Sequence, residues 1–104
     1  MCKYSVETIA AQAGNHIDDK KAVALPLYFS SNYRHDSLEE AKNFDPNKGY
    51  TYSRIATPNR RALEQTMANL EAGRRGFALS SGMAAIQLAL SILKTGDHLI
   101  SLDD

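Results

Sequence analysis

At 104 residues the chain is one small domain or part of a larger one, with an ordinary globular hydrophobic content of 43%. Twelve basic and twelve acidic side chains cancel, so no bulk field draws it to nucleic acid or to an anionic membrane. No apolar run reaches the roughly 20 residues of a bilayer span, and the single cysteine, Cys2, leaves no internal disulfide.

The opening residues lack the apolar run of a signal peptide, so the expectation is a cytoplasmic protein. His16, His35 and His98 lie far apart with no second ligand at metal spacing; they read as loop or surface residues, with no metal site. Residues 5–13 suit a short helix ended by Gly14 and Asn15. Residues 22–29 are apolar but broken by Pro26, which denies them a central strand and suggests an extended arm against another surface. Ser37 and Glu40 have capping-box spacing, giving a short helix to about Phe44 before residues 45–49 turn the chain. Residues 1–50 therefore read as an arm with too little regular structure for its own core. Its apolar side chains need the later domain or another subunit.

In residues 49–55 aromatic and polar side chains alternate. Read as extended backbone, this stretch projects Tyr52 and Arg54 to the same side. A phenol and a guanidinium aimed together make a clamp for a phosphate. The plainer alternative makes Tyr52 a packing residue and Arg54 a solvated charge. Thr57 as N-cap and Pro58 in the first turn start a helix that lasts to about Glu71. Leu63, Met67 and Leu70 fall at i, i+4 and i+7 and predict one buried stripe, with Arg60, Arg61, Glu64 and Gln65 mostly off it. Gly73 suits the C′ position.

Residues 76–80 suit a short buried strand. A helix follows from Ser81 to about Lys94, with Ile86, Leu90 and Leu93 on one face and Gly96 at its end. Residues 98–102 read as a second strand. Strand, helix, strand implies a right-handed crossover and an α/β sheet of parallel strands, with ligands beyond their carboxyl ends. Two strands cannot hold such a sheet alone, so residues 51–104 are expected to begin a larger domain. Ser80, Ser81 and Gly82 lie at the ligand end. Serine caps a helix well, and glycine allows close approach of the backbone. Free amides at the positive end of the helix dipole make an anion site, with phosphate the usual occupant; the bland alternative is a connection without a ligand. P-loop, dinucleotide and nucleophile-elbow patterns are absent. A nucleic-acid reading on Arg54, Arg60, Arg61, Arg74 and Arg75 is opposed by Glu64, Glu71 and the zero net charge.

Taken together, Tyr52-Ser53-Arg54, Pro58, Leu63-Glu64, Leu70-Glu71-Ala72-Gly73, Ser81-Gly82-Met83-Ala84-Ala85 and Gly96-Asp97-His98-Leu99-Ile100 resemble one family in order and spacing. It is the Cys/Met-metabolism group of pyridoxal-phosphate (PLP) enzymes: cystathionine γ-synthase, cystathionine β- and γ-lyases, methionine γ-lyase and homoserine sulfhydrylases. The resemblance covers essentially the whole chain. It implies the N-terminal part of a fold type I large α/β domain, preceded by an arm (1–50) that contacts a neighbouring subunit, with residues 51–104 starting the PLP-binding domain. It implies a homotetramer built from dimers that share active sites. By resemblance, the amides of Gly82 and Met83 hold the PLP phosphate, Ser81 lies beside it, and Tyr52 and Arg54 reach the same phosphate from the neighbouring subunit.

Two departures stand out. The family's usual Asn-Pro-Thr reads Thr57-Pro58-Asn59 here. None of Lys3, Lys20, Lys21, Lys42, Lys48 or Lys94 has the context of the family's Schiff-base lysine, so no catalytic residue is expected in this chain, which should be inert alone. The whole protein is expected to be a PLP-dependent lyase or transferase of transsulfuration. It would make or cleave cystathionine, from a sulfur amino acid or a homoserine ester, by β- or γ-elimination or replacement. Methionine γ-lyase and O-acyl-homoserine sulfhydrylase are alternatives within the family; a truncated, non-catalytic interaction module is the alternative of another class.

Overall fold

Each helix begins at a hydroxyl side chain that takes one of the amides a helix start leaves free. The computed structural model describes residues 4–102 other than His16, so the readings of Cys2, Lys3 and His16 fall outside the described residues. Ser5 accepts the Thr8 amide at 3.3 Å to start α1 (Val6–Ala11). Ser37 accepts the Glu40 amide at 3.1 Å to start α2 (Leu38–Lys42). The Glu40 carboxylate reaches back to the amide of Asp36 at 2.7 Å, one residue ahead of the partner that the capping box names. Thr57 accepts the Arg60 amide at 3.2 Å and Pro58 occupies the first turn of α3 (Pro58–Leu70). Ser81 accepts the Ala84 amide at 3.2 Å to open α4 (Gly82–Leu90).

Helix ends depart from the sequence reading. In α3 the left-handed residue is Ala72, at φ 51°, not Gly73. Gly73 donates to the carbonyl of Ala68 at 2.7 Å and Ala72 to that of Asn69 at 3.4 Å, the two bonds of a Schellman ending. The chain then doubles back so closely that a Cβ on Gly76 would lie 2.4 Å from the Glu64 carbonyl oxygen; only glycine fits there. α4 stops at Leu90 rather than Lys94. Ser91 Oγ donates to the Leu88 carbonyl at 2.6 Å, and the Lys94 amide goes to Asp97 at 2.7 Å instead of back along the helix.

α1 packs on α3, the one helix pair in contact among the described residues. At their junction Gly14 has φ +80°, and a Cβ there would meet Leu25 at 3.4 Å and Ala62 at 3.7 Å. The arm is fastened by polar clasps. Asn59 accepts from the Tyr28 amide at 2.9 Å and donates to the Pro26 carbonyl at 2.9 Å, acting as a strand neighbour would. Buried Asp18 accepts from the Ala22 amide and from the Tyr28 hydroxyl, each at 3.0 Å. Donation from the Ala22 amide, with help from Tyr28, holds the Asp18 carboxyl below the ordinary aspartate value. The same contact pushes the Tyr28 phenol above its ordinary value.

The predicted stripe of α3 is not buried: Leu63 is 53% and Met67 45% exposed, while Ala62 and Ala68 are covered. Small residues let α1 and the returning chain approach the helix backbone, and the longer side chains are left facing outward. Residues 76–80 and 98–102 join no strand ladder among the described residues, where the isolated antiparallel bridge of Asn32 with Tyr52 is the one β contact. A parallel strand needs partners on its edges; here the Ala78 amide is taken by the Glu64 carboxylate at 3.1 Å. The radius of gyration is 17.2 Å, against about 13 Å for a closed domain of this length.

Candidate functional site

The start of α4 is built as the sequence suggests. Ser81 has extended backbone, φ −155° and ψ 157°, and its Oγ caps Ala84. Its carbonyl takes the Ala85 amide at 3.2 Å. That leaves the amides of Gly82 and Met83, which have no hydrogen-bond partner among the described residues. A Cβ placed on Gly82 would meet nothing within 4 Å, so the space around this residue is open. The first turn carries no acidic side chain to oppose an incoming anion. Over nine residues the aligned peptide dipoles add their positive end to these two donors.

Tyr52 and Arg54 are brought together, though not by alternation along an extended segment. The Tyr52 carbonyl accepts the amides of Ile55 at 2.9 Å and Ala56 at 3.1 Å, so the chain turns at this point. The turn folds the Arg54 guanidinium over the Tyr52 ring, 5.2 Å from its centroid. On its N-terminal side the segment pairs with the arm: Tyr33 donates to Thr51 at 2.9 Å and Ser53 to Ser31 at 2.8 Å. Within this one chain no hydrogen bond, ion pair or ring contact joins Tyr52 or Arg54 to Ser81, Gly82 or Met83 among the described residues.

The sequence reading missed the side chains that fix this turn. Arg60 and Arg61 do not simply lie off a buried stripe. Arg60 donates to the carbonyls of Arg54, at 3.3 Å, and Ile55. Arg61 donates to those of Pro46 and, at 3.2 Å, Gly49, with its guanidinium 4.5 Å from the Tyr50 ring centroid. Glu64 pairs with Arg60 Nε at 3.8 Å while holding the Ala78 amide. The signal available in sequence was the i, i+4 spacing of Arg60 and Glu64. The other partners lie in the loops on either side of α3. His35, in a loop as expected, shares a hydrogen bond of 3.1 Å with Thr51 and stands edge-on to Phe44. No group of metal-ligating side chains occurs among the described residues.

The turn before α3 pairs a phenol with a guanidinium, and a capped helix start with two free amides can take a phosphate group. The chain belongs to a family that uses such a group: residues 7–104 match the Cys/Met metabolism PLP-dependent enzyme family. It is 42% identical over 103 residues to the cystathionine gamma-synthase of Haemophilus influenzae, covering 98% of this chain and 26% of that protein. Over 100 residues it is 45% identical to the cystathionine gamma-synthase/O-acetylhomoserine (thiol)-lyase of Bacillus subtilis, covering 95% and 25%. A cystathionine beta-lyase of Lactococcus lactis is 41% identical over 101 residues, covering 96% and 25%. The crystal structure of metB from Corynebacterium glutamicum superposes with a TM-score of 0.73 at 37% identity, over 92% of this chain and 24% of that one. The chain thus spans about a quarter of the length of the relatives it matches.

Proposed function

We propose that this chain supplies the phosphate-holding elements of a PLP-dependent enzyme of sulfur amino acid metabolism, one that makes or breaks cystathionine by β- or γ-elimination or replacement. The observation that carries the reading is the pair of unpartnered amides, Gly82 and Met83, with open space around the glycine, in a chain of a PLP-dependent family. The residues fit the group. Two amides and a helix dipole suit a dianion, and Ser81, whose oxygen caps Ala84, keeps its hydroxyl proton to donate. Tyr52 and Arg54 add a phenol and a fixed positive charge when they reach the phosphate from a neighbouring subunit. That no hydrogen bond, ion pair or ring contact joins them to α4 of their own chain among the described residues suits that role.

On this reading residues 1–50 are an arm against a neighbouring subunit and residues 51–104 begin a fold type I α/β domain. The assembly is a cytoplasmic homotetramer of dimers that share active sites. Exposed Phe29, Ile86 and Ile100 support it, as apolar faces suited to a sheet or a partner protomer. PLP, when bound, supplies an electron sink for charge developing at the α carbon of a sulfur amino acid or homoserine ester. The residues of this chain bind and orient the cofactor; none of its lysines stands in the context needed to act on the substrate. The name of the Bacillus subtilis relative favours one second reading, in which a thiol displaces the acyloxy group of an O-acyl-homoserine, which leaves as the carboxylate.

The holoenzyme with PLP is expected to absorb near the visible edge, with borohydride abolishing the band, and to turn over cystathionine or form it from a homoserine ester. Arg54→Ala is expected to weaken PLP retention by on the order of tenfold, the effect of one charge-assisted hydrogen bond. Arg34→Ala is the control, because Arg34 is exposed and its guanidinium pairs with Asp36. Equal retention in the two variants overturns the clamp.

A further inference from the structure

We infer that Arg60 is a positioning residue for the phosphate clamp, acting through the backbone of Arg54; this rests on the reading of Tyr52 and Arg54 as phosphate contacts. Arg60 is the third residue of α3, and helical side chains lean toward the N-terminus. Its guanidinium therefore crosses the helix start and donates to two consecutive carbonyls, those of Arg54 and Ile55. These two residues complete the turn that folds Arg54 over Tyr52. The Arg60 side chain starts from the capped first turn of α3, and its buried Nε makes no hydrogen bond among the described residues. Its amide is capped by Thr57 at 3.2 Å, its Nε faces Glu64 at 3.8 Å, and only 34% of the side chain is exposed.

A guanidinium fastened to a helix at one end and to two carbonyls at the other sets the direction in which the turn presents Arg54. A lysine keeps the charge but presents a single ammonium in place of the planar, multi-donor group. Glu64 also holds the Ala78 amide, three residues ahead of the α4 cap, so the same ion pair braces the approach to the second phosphate element.

The test is a double-mutant cycle on PLP affinity, read from the cofactor spectrum of the holoenzyme at equilibrium, with thermal unfolding recorded alongside. Arg60→Gln is expected to weaken PLP binding severalfold when Arg54 is present and to change it little in the Arg54→Ala background. Arg60→Lys, the milder change, should show the same dependence on Arg54 at smaller size. Equal losses in both backgrounds, or no loss in either variant while Arg54→Ala still binds PLP weakly, overturn the positioning role and leave the clamp standing. Unchanged PLP affinity in Arg54→Ala itself overturns the clamp, and the role of Arg60 with it.

Discussion

The two halves of the molecule hold themselves together by different means. From Tyr4 to Leu70 the chain is tied by long-range hydrogen bonds between side chain and backbone, from Asn59 to residues 26 and 28 and from Arg61 to residues 46 and 49, while Arg60 holds the turn just before α3. From residue 76 to 102 the Glu64 carboxylate on the Ala78 amide ties the segment to the first half, and Phe77, Ile86, Ile92 and Ile100 are exposed. The lesson is chemical. Directional polar clasps are satisfied one pair at a time, so a short arm can be ordered by a single helix. An apolar segment gains its stability from buried area instead, and much of the apolar surface of residues 76–102 is exposed.

Breaking the tie between the halves should have the largest effect. Gly76→Ala forces a Cβ into the Glu64 carbonyl and should cost about 1–3 kcal/mol, as overpacking does. The expected readout is faster hydrogen exchange at the Ala78 amide, with exchange at Ala22 unchanged. Next, Asn59→Ala removes two hydrogen bonds from the arm and should loosen it by about 1–2 kcal/mol. Faster exchange at the Tyr28 amide would show this, and unchanged exchange would count against the clasp.

The smallest effect sharpens the comparison from the acid side. The folded carboxyl of Asp18 is held low, so its contribution is complete above its unfolded value of about 4 and is lost as pH falls through the lower folded value. Hydrogen exchange at the Ala22 amide, corrected for its intrinsic pH dependence, should therefore become faster as pH falls below that unfolded value. In Asp18→Asn it should be fast on both sides of that value and lack the acid step.

Much of the candidate site was legible beforehand because it is local. Ser81 followed by Gly82 and Met83 states a cap and two free donors within one turn, and α4 starts there. The pairing of Tyr52 with Arg54 was also reached, but for the wrong geometric reason, since a turn rather than a strand unites them. Thr57-Pro58-Asn59 departs in sequence from the family's usual Asn-Pro-Thr. Only the fold reveals that Asn59 grips a segment about 30 positions earlier.

What the chain determines by itself is its punctuation. Ser5, Ser37, Thr57 and Ser81 each cap a helix because a hydroxyl and an amide three residues on meet without help from elsewhere. Tertiary structure decided which face of α3 is covered and what Arg61 and Glu64 hold. Those outcomes depend on which backbone groups arrive from distant segments, and the pattern of residues along a single helix carries no record of that.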